Sequence, residues 1–188
     1  MGAVIGIDLG TTNTAVAVVR DGRPRVLEDS RGYRVIPSCV AAKASGRFVV
    51  GHAAKSMILT DPECTAYAIK RVLGRGFGTP EVRAVRDRVS YRMEAGEDGL
   101  VRVLIGDRLM TPTEIIGVLL RVARETAESV LEDTVQEAVV TVRLGEEELN
   151  ALDALTVGPF SRSQVMRIVL LDCLGQTARR VRPAVGSI

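Results

Sequence analysis

The segment VIGIDLGTTNTAVAV, residues 4–18, decides the fold. Residues 4–9 are rich in β-branched side chains and predict a buried strand that stops at Gly10. Alternation resumes at residues 15–18 and predicts a second strand. The link between them, residues 10–13, is short enough to join the two strands as a hairpin. We call residues 10–13 the tip loop.

The tip loop carries groups suited to a phosphate. Gly10 lets backbone approach a ligand, Thr11 and Thr12 add hydroxyls, and Asn13 adds an amide. Backbone N–H groups in such a turn form an anion nest, and a carboxylate beside it, here Asp8, suits hydrated Mg²⁺. The same residues are also compatible with an ordinary polar hairpin.

Composition bounds the class of protein. A chain of 188 residues suits one domain or one and a half, and its core must be aliphatic because aromatic residues make up 3%. The 25 Lys and Arg nearly balance the 23 Asp and Glu, so net charge indicates neither a nucleic-acid nor a membrane partner. Three scattered cysteines without a CxxC pair indicate reduced thiols. With no leader and no spanning segment recognised, we expect a cytoplasmic protein without a membrane partner.

Local signals predict the elements that follow. Residues 52–59 predict a short helix, and Asp61 as cap with Pro62 at the first position predicts another to about Leu73. Residues 89–94 and 100–105 alternate and predict a hairpin. Thr111 opens the clearest helix.

That helix begins with Thr-Pro-Thr-Glu at residues 111–114, a capping box with proline at its first position. Apolar residues recur at helical spacing from Ile115 to Val130, so one face is expected to be buried. Residues 137–142 then predict a strand.

The chain contains, in this order, the segments IGIDLGTTNT, RVIPSCV, VGHAAK, TDPECTAYAIKRVLGR, MTPTEI and EAVVTV. This series resembles the DnaK-type heat-shock chaperones, the seventy-kilodalton class, over about residues 2–142. The resemblance implies an α/β fold, an actin-like and ribonuclease-H-like lobe I. A base subdomain would come from the N-terminal strands with the helix and strand after Thr111, and a peripheral subdomain would cover about residues 40–110.

The resemblance also implies residue roles. The tip loop would form the first phosphate loop of a site for ATP or ADP with Mg²⁺, and Asp8 would hold Mg²⁺ through water. Lys70 would reach the transferred phosphate, with Arg71 near it. Taken alone, Lys70 is a helix-surface lysine; within AIKRVLGR it is similar to the family's phosphate-contacting lysine, which stabilises charge on a phosphoryl group.

On the same resemblance, we expect the site to be vestigial. The family grips nucleotide between two lobes, and the second phosphate loop and adenosine pocket would lie beyond this sequence. Arg143 stands at the family's proline, and the segment with the catalytic glutamate would fall on residues 170–173, which lack it. We therefore expect nucleotide binding of millimolar order at best and no hydrolysis by this chain alone.

The tail, residues 139–188, suggests a different identity. Residues 140–144 read as a strand, residues 146–155 as a helix with an acidic first turn, and Gly158-Pro159 as a break. Ser161-x-x-Gln164 is a second capping box before the apolar residues of a further helix. Over about residues 139–176 this order resembles a ribbon-helix-helix DNA-binding module.

In that family, two chains pair their strands into a ribbon that enters the major groove. The resemblance implies a homodimer formed through the tail, with Thr141 and Arg143 at base edges and a DNA phosphate clamped at Ser161, Arg162 and Ser163. The alternatives are a generic helical tail or a continuation of the chaperone fold, because VMRIV lies where the chaperone pattern places a strand.

The strand that ends near Leu144 cannot be both an internal strand and an exposed ribbon, and we expect it to stay in the sheet of the monomer. The main hypothesis is a truncated DnaK-like phosphate-binding lobe joined to a ribbon-helix-helix-like tail, with a binding or regulatory role. The alternative is a divergent chaperone ATPase-domain fragment whose missing lobe comes from another chain, with that lobe-supplying protein or a client protein as its possible partner.

Overall fold

The computed structural model describes residues 3–141, and all structural statements refer to this part of the chain. Its strands are β1 Ala3–Leu9, β2 Asn13–Arg20, β3 Arg23–Val26, β4 Ile36–Pro37, β5 Val40–Ala42, β6 Phe48–Val50, β7 Thr65–Ala66, β8 Met93–Ala95, β9 Val101–Ile105, β10 Arg108–Met110 and β11 Val135–Thr141. Its α-helices are α1 His52–Thr60, α2 Pro80–Arg86 and α3 Pro112–Leu131, and two short 3₁₀ helices cover Pro62–Cys64 and Ile69–Val72.

The main sheet is built around the predicted hairpin. Its order is β11-β1-β2-β3, and β4 also pairs with β2. β1 runs antiparallel to β2 and parallel to β11, so Ile7 lies opposite Val16 on one side and Val140 on the other. The hairpin prediction is confirmed, and the described part of the last predicted strand lies in the sheet as expected.

Helix α3 packs with the inner face of this sheet. Ile5 and Ile7 of β1 belong to the same buried cluster as Ile115 and Leu120 of α3. The predicted capping box is present, and Ile115, Ile116, Leu119 and Ala123 are buried, as their spacing predicts. At the far end, Val130 was predicted to be buried but is 38% exposed, because the helix runs past the core in its last turn.

The capping box itself is reciprocal. The Glu114 N–H donates to Thr111 Oγ1 at 3.1 Å, and the Thr111 N–H donates to Glu114 Oε2 at 2.7 Å. Two backbone donors that the helix cannot satisfy internally are thereby paired.

Two small antiparallel sheets complete the described fold. One has the order β6-β5-β7 and the other β10-β9-β8, and both fall within residues 40–110. Val40, Val72 and Val101 from this region lie in the same buried cluster as the main sheet. The described chain is therefore a mixed α/β fold, as expected for an actin-like lobe, with one large core and a second, small buried cluster of Cys39, Ala41 and Ala54. The boundary at residue 142 stays a prediction.

The predicted helix from Asp61 to about Leu73 is wrong. Thr65 and Ala66 instead form β7, which pairs with β5 and is fully buried. Ala68 then adopts a left-handed conformation with φ 56°, which an α-helix cannot accommodate. Pairing with a distant strand has overridden the local capping signal, and only the two 3₁₀ turns remain of the expected helix.

Other short elements also differ from the prediction. The first strand of the second hairpin covers Met93–Ala95 and not residues 89–94, while its partner Val101–Ile105 agrees closely. The helix Pro80–Arg86 and the strand Arg108–Met110 were not predicted. Elements of three to seven residues carry little periodic signal, and these depend on packing.

Candidate functional site

The tip loop has a closed geometry that requires glycine at its first position. The Gly10 N–H donates to the Asn13 carbonyl at 3.1 Å. A Cβ atom on Gly10 would lie 2.3 Å from that same carbonyl oxygen, far inside contact distance. Thr11 is half-buried, whereas Thr12 and Asn13 are exposed. The loop is therefore held tightly at its base and accessible at its tip.

Ser38 fastens this loop to the neighbouring strand β4. The Ser38 hydroxyl donates to the Gly10 carbonyl at 2.8 Å, and the Ser38 N–H donates to the Thr12 carbonyl at 2.8 Å. The sequence interpretation did not assign Ser38 a role. It lies in the RVIPSCV segment, but only the pairing of Pro37 with Asn13 brings it to the loop.

Lys70 and Arg71 reach the tip loop from the second 3₁₀ helix. Lys70 is only 7% exposed and lines a small cavity of about 20 Å³ together with Gly10 and Thr11. Arg71 is exposed and lines a larger cleft that also contacts Thr11 and Thr12. The fold thus places both basic residues next to the loop. Lys70 is buried and lines the small cavity together with core residues such as Ile115, so it does not lie on an exposed helix surface.

The larger cleft is basic and has a volume of about 900 Å³. We call it the basic cleft; its cationic lining residues are Lys55, Arg71, Arg75 and Arg88. One acidic residue, Glu81, also lines it and pairs with Arg75 at 3.4 Å. The excess of positive charge next to the tip loop suits an anionic ligand.

Arg75 is the least exposed of these four cationic residues. Its side chain is 10% exposed, and within residues 3–141 its Nε has no hydrogen-bond partner.

The thiol of Cys39 also lines the cleft. Burial raises the pKa of this thiol, so Cys39 stays protonated at neutral pH. Cys39 and Cys64 are both free thiols, Cys39 buried and Cys64 half-buried, and Cys173 lies outside the described residues.

Asp8 lies near the end of β1, directly behind the tip loop. It is half-buried and lies opposite Ala15 on β2 and Thr141 on β11. Within residues 3–141, no group of three or more His, Cys, Asp or Glu side chains could hold a metal ion. A single carboxylate with neighbouring hydroxyls fits a metal that keeps most of its water, as Mg²⁺ does.

The predicted DNA contacts fall mostly outside the described residues. Arg143, Ser161, Arg162 and Ser163 lie there, as do the predicted tail helices and the position expected for the catalytic glutamate. Thr141 is described: it is exposed and is the last described residue of β11. The described part of the chain contains no helix long and apolar enough to cross a membrane.

Comparison with known proteins supports the first resemblance. The family model for Hsp70 protein matches residues 4–144. The chain is 41% identical over 169 residues to the chaperone protein dnaK1 of Synechococcus elongatus. This alignment covers 90% of this chain and 26% of that protein. The match to the chaperone protein DnaK 3 of a Synechococcus species has the same identity and coverage. The chain thus spans about a quarter of the length of these curated relatives.

These matches also bear on the tail. An alignment that covers 90% of the chain must extend well past residue 144, so much of the tail aligns with the two chaperones. This favours the alternative hypothesis, a divergent chaperone ATPase-domain fragment, over the ribbon-helix-helix tail, which neither the family model nor the two relatives support. The Hsp70 family model matches most of the chain, and the order of the sequence motifs is that of the family. The chain therefore belongs to the Hsp70 family.

Proposed function

We propose that this chain binds the phosphates of ATP or ADP with Mg²⁺ as one half of an Hsp70-type nucleotide site. The observation that carries the proposal is the convergence of three elements at one place. The tip loop, the buried Lys70 and the basic cleft with Arg71 meet at Thr11, although they come from distant parts of the sequence.

The chemistry of these residues fits a phosphate. The tip loop offers backbone N–H groups and the hydroxyls of Thr11 and Thr12, which donate hydrogen bonds without adding negative charge. Lys70 adds a cation in a site that is largely removed from water, where its attraction to an anion is stronger than at a surface. Arg71, at the accessible rim, can form a two-pronged bond to phosphate oxygens.

Asp8 would be the residue that holds hydrated Mg²⁺. Asp8 precedes the tip loop by two residues in the sequence, and a Mg²⁺ ion that keeps most of its water is commonly held by one or two protein carboxylates. When bound, Mg²⁺ supplies neutralisation of phosphate charge. The contribution of the protein would be the Asp8 carboxylate at the end of β1 and the donors of the tip loop that follows it.

The expected affinity is low. Hydrogen bonds to charged groups contribute about 1.5–3 kcal/mol each, whereas association costs about 4–15 kcal/mol. The loop donors, Lys70 and Arg71 together therefore support a dissociation constant of about millimolar order. In the whole relatives, nucleotide would be gripped from two sides, and we propose that turnover likewise needs the second lobe.

Titration with MgADP tests the proposal. We expect wild-type protein to bind with a dissociation constant of about 1 mM and Lys70→Ala to weaken binding by about tenfold. Lys43→Ala is the matched control, because Lys43 is an exposed lysine in the turn between β5 and β6. No saturable binding by the wild type, or equal binding by the two variants, would show that the site does not work as proposed.

A further inference from the structure

We propose that Ser38 is a positioning residue that fixes the conformation of the tip loop. It is the one residue described above that bonds to both arms of the loop: its hydroxyl donates to the Gly10 carbonyl and its N–H donates to the Thr12 carbonyl, each at 2.8 Å. The effect of Ser38 on ligand binding rests on the proposed function. Its effect on the loop does not.

The hydroxyl of Ser38 can donate only one hydrogen bond. Its single proton goes to the Gly10 carbonyl, so the 3.1 Å contact between Ser38 Oγ and Thr14 Oγ1 must have Thr14 as the donor. Thr14 is 0% exposed, and its hydroxyl needs a partner inside the protein. The three residues form a relay of hydrogen bonds that runs from the buried core through Ser38 to the base of the tip loop.

Ser38 is itself held in place from two sides. On one side, β4 pairs with β2, with Pro37 opposite Asn13. On the other side, the Gly51 N–H donates to the Cys39 carbonyl at 3.1 Å. Gly51 has φ +70°, and a Cβ there would lie 3.0 Å from the side chain of Ile36, so the approach is close. A residue fixed this firmly can impose its geometry on a loop.

The bond to Gly10 has a consequence for the donors of the loop. All described peptide bonds are trans, and in a planar trans peptide the carbonyl of one residue and the N–H of the next point in opposite directions. Because the Gly10 carbonyl points at Ser38, the Thr11 N–H points away from Ser38. Ser38 therefore occupies two carbonyls that would repel an anion and orients an N–H that can bind one.

Amide hydrogen exchange tests the positioning without any ligand. In the full 188-residue chain, we expect Ser38→Ala to speed exchange of the Gly10 N–H, which donates to the Asn13 carbonyl, by about tenfold, since it removes one hydrogen bond at the base of the loop. Ser38→Thr keeps the hydroxyl and should exchange as the wild type does. Ser45→Ala, at an exposed serine in a turn, is the matched control.

Ser38→Ala also leaves the buried Thr14 hydroxyl without its acceptor, which could unfold the protein for an unrelated reason. The double variant Ser38→Ala with Thr14→Val removes both partners and avoids the orphaned hydroxyl. We expect the double variant to be more stable than Ser38→Ala while its Gly10 N–H still exchanges about tenfold faster than in the wild type. Wild-type exchange in the double variant would overturn the proposal.

Binding of MgADP to the same proteins then separates this inference from the proposed function. We expect the dissociation constant to rise about tenfold in Ser38→Ala and in the double variant and to recover in Ser38→Thr. Faster exchange with no nucleotide binding even by the wild type would refute the proposed function and leave the positioning role supported. Faster exchange with wild-type affinity would refute the role of Ser38 in ligand binding.

Discussion

Replacing Gly10 by alanine tests the geometry of the tip loop most sharply. The added Cβ would lie 2.3 Å from the Asn13 carbonyl oxygen, a backbone atom that cannot rotate away. The loop must therefore open, and the hydrogen bond from the Gly10 N–H to that oxygen, now 3.1 Å, must lengthen or break. Overpacking of this kind costs about 1–3 kcal/mol, and the lost bond about 1 kcal/mol more.

We expect Gly10→Ala to lower the free energy of unfolding by about 2–4 kcal/mol and to abolish measurable MgADP binding. Urea denaturation gives the first quantity and calorimetric titration the second. Gly78→Ala is the matched control: a Cβ there meets nothing within 4 Å, so its stability should change by less than about 1 kcal/mol. If Gly10→Ala behaves like Gly78→Ala in both assays, the steric account of the loop is wrong.

Two further predictions concern stability. Thr111→Ala breaks the capping box and should cost about 1 kcal/mol in urea denaturation, whereas Ser129→Ala on the exposed side of the same helix should change it by less than about 0.5 kcal/mol; equal effects would contradict the cap. Burial raises the pKa of the Tyr91 phenol, whose O–H donates to the Tyr67 carbonyl at 2.6 Å. Because the folded pKa lies above the unfolded one, this stabilisation is complete below about pH 10 and is lost as pH rises further. Tyr91→Phe should cost about 1 kcal/mol at neutral pH and flatten the alkaline loss; an unchanged slope would contradict it.

Local signals predicted the elements that depend on local physics. The hairpin of β1 and β2 follows from β-branched alternation around a short link, and α3 follows from its cap and apolar stripe. In both cases, the residues that decide the structure are neighbours in sequence. The bare sequence also indicated the polar character of the tip loop, although these residues were compatible with an ordinary hairpin as well.

Contacts between distant segments could not be predicted in this way. The cap at Asp61 predicted a helix, but the pairing of Thr65 and Ala66 with β5 prevented one. Taken alone, Lys70 was interpreted as a helix-surface lysine, but it lies in a 3₁₀ helix and is buried. Ser38 gave no local signal at all, because its importance comes from the carbonyls it contacts across the fold.

Resemblance to a family supplied what local physics could not for the site. It indicated that Lys70 and Arg71 lie near the tip loop, and the structure places both there. Their roles toward nucleotide stay proposals. The ribbon-helix-helix resemblance of the tail had no comparable support, and the alignment of the tail with chaperones favours the other hypothesis.

Mapping MgADP onto the protein by amide chemical shifts tests the central claim most directly. If this chain is the phosphate-binding half of a nucleotide site, the shifted amides should cluster at the tip loop, Ser38, Lys70 and Arg71. The same resonances should respond to pyrophosphate, because the contacts are made to phosphate groups. Shifts that cluster elsewhere, or a tip loop that does not respond at about 10 mM ligand, would contradict the account.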